Sequence, residues 1–146
     1  MPSILIVDDE RSIRQLVARW LGDAGHTFHD ADSADTALAV MAKTPAAVVF
    51  CDVQMPGHDG LWLTRQLRAQ YPNTAVVLAT GVTTVPPNIS MQSGVLAYLV
   101  KPFRREALLG ALDEALKWHE QATASGARAA EDPAVLEDWL DGLDQS

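Results

Sequence analysis

Five short apolar runs, each separated from the next by a different pattern, constrain this chain more than any other feature. They fall at residues 3–7, 27–29, 47–51, 75–79 and 97–100. Strands with one wet face alternate apolar and polar residues; these runs do not, so they read as strands buried on both faces, as in a parallel sheet. Helical spacing fills the gaps. Ile13, Leu16, Val17, Trp20 and Leu21 form one apolar stripe, and Ala34, Ala37, Leu38 and Met41 form a second behind a Ser33 cap. Leu63 and Leu67 mark a third helix that ends before Pro72, and Leu108, Leu112, Ala115 and Leu116 mark the last helix of the domain. Strand–helix alternation implies a doubly wound α/β domain over about residues 1–120.

One connection departs from the pattern. Between the fourth and fifth strands, Pro86 and Pro87 stop any helix from running through, because proline lacks the N–H and clashes with the preceding turn. The fourth helix is therefore expected to be short or irregular. Residues 121–131 read as a linker rich in Ala, Ser and Gly. Residues 132–146 read as an acidic amphipathic helix or tail: Asp132-Pro133 looks like a helix start. Val135, Leu136, Trp139, Leu140 and Leu143 then share one face among five acids, with Glu131 just before them.

Charge narrows the partners. With 19 acidic against 11 basic side chains, the formal net charge is -8. Direct nucleic-acid binding needs clustered Lys and Arg, and an anionic membrane surface needs the same, so neither is expected. The one cysteine, Cys51, excludes an internal disulfide, and its position in a buried strand suits an inert core thiol. His26, His29, His58 and His119 lack metal-ligand spacing. With no long apolar run or basic leader visible, a cytoplasmic chain is expected.

In open α/β sheets, sites lie beyond the carboxyl ends of the strands. Here the first strand ends in Asp8, Asp9 and Glu10, the third in Asp52, the fourth in Thr80 and Gly81, and the fifth in Lys101 and Pro102. Taken singly, each has a plain structural reading: helix caps, turn residues, a lysine neutralising an acid. Taken together they form a complementary set. Ionised Asp8, Asp9 and Asp52 would repel one another at close range. Mg²⁺, which favours carboxylate, carbonyl and water oxygens, would relieve that conflict, with a backbone carbonyl available from residues 53–57. Lys101 and the Thr80 hydroxyl could then receive phosphoryl oxygens, and Asp52 could act as a carboxylate nucleophile giving an aspartyl phosphate.

The stretches ILIVDDE at 4–10, VVFCDVQMPGHDG at 48–60, VVLATG at 76–81 and AYLVKPF at 97–103 resemble response-regulator receiver domains, the phosphoacceptor modules of bacterial two-component systems. The resemblance implies a flavodoxin-like five-stranded parallel sheet in order 2-1-3-4-5 with five helices. It implies that Asp52 is the phosphoacceptor. Asp9, Asp52 and the backbone carbonyl of Gln54 would hold Mg²⁺ directly, and Asp8 through a water. Thr80 would be the switch hydroxyl, Lys101 the phosphoryl-contacting lysine, Tyr98 the switch aromatic and Lys101–Pro102 a cis peptide. It implies a sensor histidine kinase or a histidine phosphotransfer protein as donor, and an output protein or dimer mate as recipient. No output domain is recognisable after residue 120, and the acidic tail has no counterpart in the family pattern.

Other readings fit less well. A receiver-like docking module that is never phosphorylated would not need the complete acid, threonine and lysine set. An aspartate-nucleophile phosphatase would need a second acid where Gln54 stands. A flavin-phosphate loop after the first strand would meet Asp8, Asp9 and Glu10. The expected protein is thus a switch, with self-phosphorylation and autodephosphorylation as its only chemistry.

Overall fold

A computed structural model describes residues 2–81 and 94–125. In chain order the elements are β1 (Ser3–Val7), α1 (Arg11–Asp23), β2 (Thr27–Ala31), α2 (Ala34–Lys43), β3 (Val48–Asp52), α3 (Gly60–Gln70), β4 (Ala75–Thr80), β5 (Val95–Val100) and the C-terminal helix, here α4 (Arg105–Ser125). The strands are all parallel, in the order β2-β1-β3-β4-β5. The expected short fourth connection and the acidic tail lie outside the described residues, so four helices stand where five were expected.

Strand alternation sorts the core into two layers. Leu5, Val7, Val49, Cys51, Val76 and Leu78 face one side and pack with Ala37 and Met41 of α2 and Leu63 and Leu67 of α3. Ile4, Ile6, Val48, Phe50, Val77 and Ala79 face the other and pack with Val17 and Leu21 of α1 and Leu108, Leu112 and Ala115 of α4. Every residue of β1, β3 and β4 is buried. That explains why these runs carry no polar alternation.

Local chemistry sets the helix starts. The Ser33 hydroxyl accepts from the Thr36 N–H at 3.1 Å, and the Asp59 carboxylate accepts from the Trp62 N–H at 2.8 Å; each satisfies one of the orphan donors of a first turn. Several boundaries differ from expectation. β2 extends to Ala31 because Asp30 and Ala31 find partners in Ile6 and Val7, a tertiary pairing that composition does not announce. β3 runs one residue further, to Asp52, which pairs with Ala79. β5 starts earlier, at Val95, across a register irregularity opposite Val76 and Val77. Leu16, placed on the inner stripe of α1, is 40% exposed. Helix α4 continues to Ser125, so residues 121–125, read as the start of the linker, are helical. Ala122 is fully buried against the core, so it is a helix former with a packing role.

Candidate functional site

Three acids and one lysine converge at the carboxyl edge of the central strands. Asp8 follows β1, Asp52 ends β3 and Lys101 follows β5. Parallel pairing of β1, β3 and β4 brings the first two ends side by side, and β5 brings in the lysine. The Lys101 ammonium donates to Asp8 Oδ2 at 2.9 Å and to Asp52 Oδ2 at 3.1 Å. Asp8, Asp9 and Asp52 offer carboxylate oxygens within 4.8 Å of one another. Asp8 is fully buried and Asp52 is 4% exposed, whereas Asp9 reaches solvent.

Each acid is held by backbone as well as by charge. Asp8 Oδ1 accepts from the Glu10 N–H at 2.9 Å, so Asp8 also shapes the turn into α1. Asp8 is not the helix cap, since Glu10 holds that position and α1 has no side-chain capping bond; one Asp8 oxygen serves the turn while the other meets Lys101. The Asp8 carbonyl accepts from the Arg14 guanidinium at 2.8 Å, and Arg14 pairs in turn with Asp30 at 3.2 Å. Asp52 Oδ1 accepts from the Gln54 N–H at 3.2 Å. The Lys101 N–H donates to the Thr80 carbonyl at 2.7 Å, which fixes the lysine against the end of β4. Thr80 is itself fully buried. The peptide from Lys101 to Pro102 is cis.

The electrostatics are those of a crowded acid pocket. Burial raises the Asp52 pKa above the ordinary carboxylate value, and the Asp8 charge adds to the rise; the Lys101 hydrogen bond opposes it. For Lys101, burial alone would lower the pKa, but its bonds to Asp8 and Asp52 outweigh that and hold it above the usual lysine value. Burial, with Asp52 and Asp8 nearby, also pushes the Cys51 thiol well up, in keeping with an inert neutral group.

The remaining expected residues sit differently. Gln54 is exposed beside Asp52. Tyr98 pairs with Leu78 across the sheet and is partly buried against the apolar layer that contains it. One site residue escaped the sequence reading. Gly60 opens α3 directly on the backbone of the phosphoacceptor candidate: a Cβ there would overlap the Asp52 carbonyl oxygen and lie 2.8 Å from Val53 Cα. The Gly60 N–H donates to the Val53 carbonyl at 2.9 Å. Its place at the end of the quoted 48–60 stretch was the available signal, but a glycine at a helix start does not disclose which backbone it must clear.

Fold and site together define a doubly wound α/β domain with a lysine-bridged acidic pocket at its carboxyl edge. The model of the response regulator receiver domain matches residues 4–113; the chain belongs to that family. It is 40% identical over 107 residues to the response regulator protein FleR of Pseudomonas aeruginosa, covering 73% of this chain and 23% of FleR. It is 35% identical over 109 residues to the C4-dicarboxylate transport transcriptional regulatory protein DctD of Rhizobium meliloti, covering 74% of this chain and 24% of DctD. The chain thus spans about a quarter of the length of these curated relatives. Among solved structures, the Vibrio cholerae chemotaxis protein CheY4 superposes with a TM-score of 0.71 at 36% identity, over 80% of this chain and 99% of that one. No helix among the described residues is long and apolar enough to cross a membrane.

Proposed function

We propose that this chain is the phosphoryl-accepting switch of a two-component system, with Asp52 as the acceptor. The observation that carries the reading is the Lys101 ammonium lying between Asp8 and Asp52 at 2.9 and 3.1 Å. A carboxylate that is nearly buried, held at a strand end and paired with a partly buried cation is positioned to act as a nucleophile. The attacking Asp52 oxygen forms the new P–O bond. The P–N bond of a donor phosphohistidine breaks, and the departing imidazole nitrogen takes up a proton from solvent.

Three carboxylates against one ammonium leave the pocket two formal negative charges in excess. Two ionised carboxylates no more than 4.8 Å apart repel by at least ~3.5 kcal/mol at an effective dielectric of ~20, which opposes the approach of an anionic phosphoryl donor. The donor set is all oxygen and suits a hard divalent cation such as Mg²⁺. Asp9, Asp52 and the Gln54 carbonyl would hold it, and Asp8 through a water. Bound there, the ion would neutralise the excess charge and the phosphoryl oxygens. Lys101 would then move from bridging two acids to contacting the phosphoryl group. Thr80, at the end of β4, would supply a hydroxyl to it, and Tyr98 would follow Thr80 inward.

A sensor histidine kinase or a histidine phosphotransfer protein would be the donor. The signal would pass through a change in binding to an output protein or to a second copy of the chain. The test is direct. Incubation with acetyl phosphate and Mg²⁺ should add one phosphoryl group by intact mass. Asp52→Asn should abolish the addition, and EDTA or Asp9→Ala should suppress it. Full labelling of Asp52→Asn would overturn the assignment.

A further inference from the structure

The turn between β1 and α1 carries two of the three acids of the pocket, Asp8 and Asp9, on consecutive residues. The peptide that joins them is pinned from outside the pocket. The Asp8 carbonyl accepts from the Arg14 guanidinium at 2.8 Å, and the Asp8 N–H donates to the Ala31 carbonyl at 3.2 Å. Arg14 is held in turn by Asp30, whose carboxylate accepts from Nε at 3.2 Å. The carbonyl of Asp8, through Arg14, and its N–H directly thus lean on Asp30 and Ala31, the last two residues of the edge strand β2.

Helix stability alone does not explain a cation at this position. Arg14 lies in the first turn of α1, which holds no acid, and there the helix dipole favours acids and disfavours cations. Its side chain reaches back toward the amino end, as long helical side chains do, and only 16% of it is exposed. The guanidinium meets a carbonyl with one nitrogen and a carboxylate with another, which is the fixed fork geometry of arginine.

The bearing on the pocket comes through Asp9. The Asp8 side chain is fixed twice, by the Glu10 N–H and by Lys101. Asp9 is exposed, and its carboxylate has no hydrogen-bond or ion-pair partner among the described residues. What places it is the backbone, and the carbonyl that Arg14 holds belongs to the planar peptide from which Asp9 projects. Mg²⁺ demands near-octahedral geometry and tolerates little error in the position of a ligand.

We propose that Arg14 is a positioning residue for the divalent ion. By holding the Asp8–Asp9 peptide against the end of β2 it sets Asp9 where the ion needs it, and so raises Mg²⁺ affinity although its own charge is positive. The proposal rests on the reading of Asp9 and Asp52 as ligands of Mg²⁺. Charge alone predicts the opposite sign: removing a cation from beside the acids should tighten the binding of another cation. Loss of positioning should weaken it.

A Mg²⁺ titration of the intact chain, followed by the amide signals of Asp9 and Gln54, measures that sign. Arg14→Met keeps an unbranched side chain of good helix propensity and removes the donors and the charge. It should raise the Mg²⁺ dissociation constant about tenfold, the lower end of what losing a ligand-orienting partner costs. Asp30→Ala, at an exposed position, unties Arg14 and leaves its charge in place. In ~1 M KCl, where a Debye length of ~3 Å screens the lost surface charge, it should shift the constant in the same direction by a smaller factor. With acetyl phosphate, labelling of Arg14→Met should slow at limiting Mg²⁺ and recover at saturating Mg²⁺. An unchanged or lower dissociation constant in Arg14→Met would overturn the proposal; paired with a lower melting temperature in EDTA, it would make Arg14 a plain structural pin. A labelling deficit that persists at saturating Mg²⁺ would also overturn it. Should Arg14→Met fail to fold, an unchanged constant in Asp30→Ala would do the same. Failure of the unsubstituted chain to bind Mg²⁺ would instead refute the metal reading itself and remove this proposal with it.

Discussion

Asp52 is held in a state that favours reaction over stability. Its raised pKa means that the folded pocket disfavours the charged form relative to the unfolded chain. The penalty is absent below the unfolded carboxylate pKa, grows as pH rises above it, and is complete once pH exceeds the raised folded value. Asp52→Asn should therefore melt higher than the unsubstituted protein in EDTA at pH 7, and the gap should close on acidification. Mg²⁺ at ten times its dissociation constant should stabilise the unsubstituted protein by about 1.4 kcal/mol and the variant by less. A variant that melts lower in EDTA would contradict this balance. Lys101 behaves in the opposite sense: its raised pKa contributes stability below the usual lysine value, lost only as pH climbs through the folded one. The identities of these side chains were legible at the strand ends. The bridge from one lysine to two acids was not, because three chain ends from three strands meet only in the folded sheet.

At the scale of elements, α3 is the piece most tightly coupled to the site. Its first residue touches the Asp52 backbone, and its cap, Asp59, comes from the loop that leaves the site. Gly60→Ala should force α3 and the Asp52–Val53 peptide apart, costing about 1–3 kcal/mol by overpacking and slowing labelling by acetyl phosphate. A denaturation midpoint and labelling rate both equal to those of the unsubstituted protein would show that the backbone yields without consequence. The helices themselves were readable because their apolar spacing matches the faces they bury, as with Ala34, Ala37 and Met41 in α2. Element ends were less so. Ala122 looked like linker by its neighbours, yet it is fully buried, since alanine serves both a flexible composition and a close helix–sheet contact.

At the scale of the whole molecule, the two-layer core followed from the unalternating runs of β1, β3 and β4, because only a sheet covered on both faces tolerates them. β2 and β5, expected to be buried in the same way, are edge strands, the first largely exposed and the second half-buried. The strand order was implied by the family resemblance. The same core predicts where the chain can be cut. Ending it after Glu120 removes Ala122 from the apolar layer it shares with Trp118 and Ala115, so that form should melt lower than one ending after Ser125. Both should still accept a phosphoryl group at Asp52, since the acid–lysine set is complete by Lys101. Equal melting temperatures would place the last helical turn outside the cooperative core.

The bonds from Lys101 to Asp8 and Asp52 join positions 93 and 49 residues apart in sequence. No hairpin, single helix or half-formed sheet brings those groups together. If Asp52 labelling requires that set, reactivity doubles as a certificate of folding: a nascent, misassembled or partly melted copy would be invisible to the donor. The population that carries the signal would then be drawn only from correctly built molecules, with no separate inspection step.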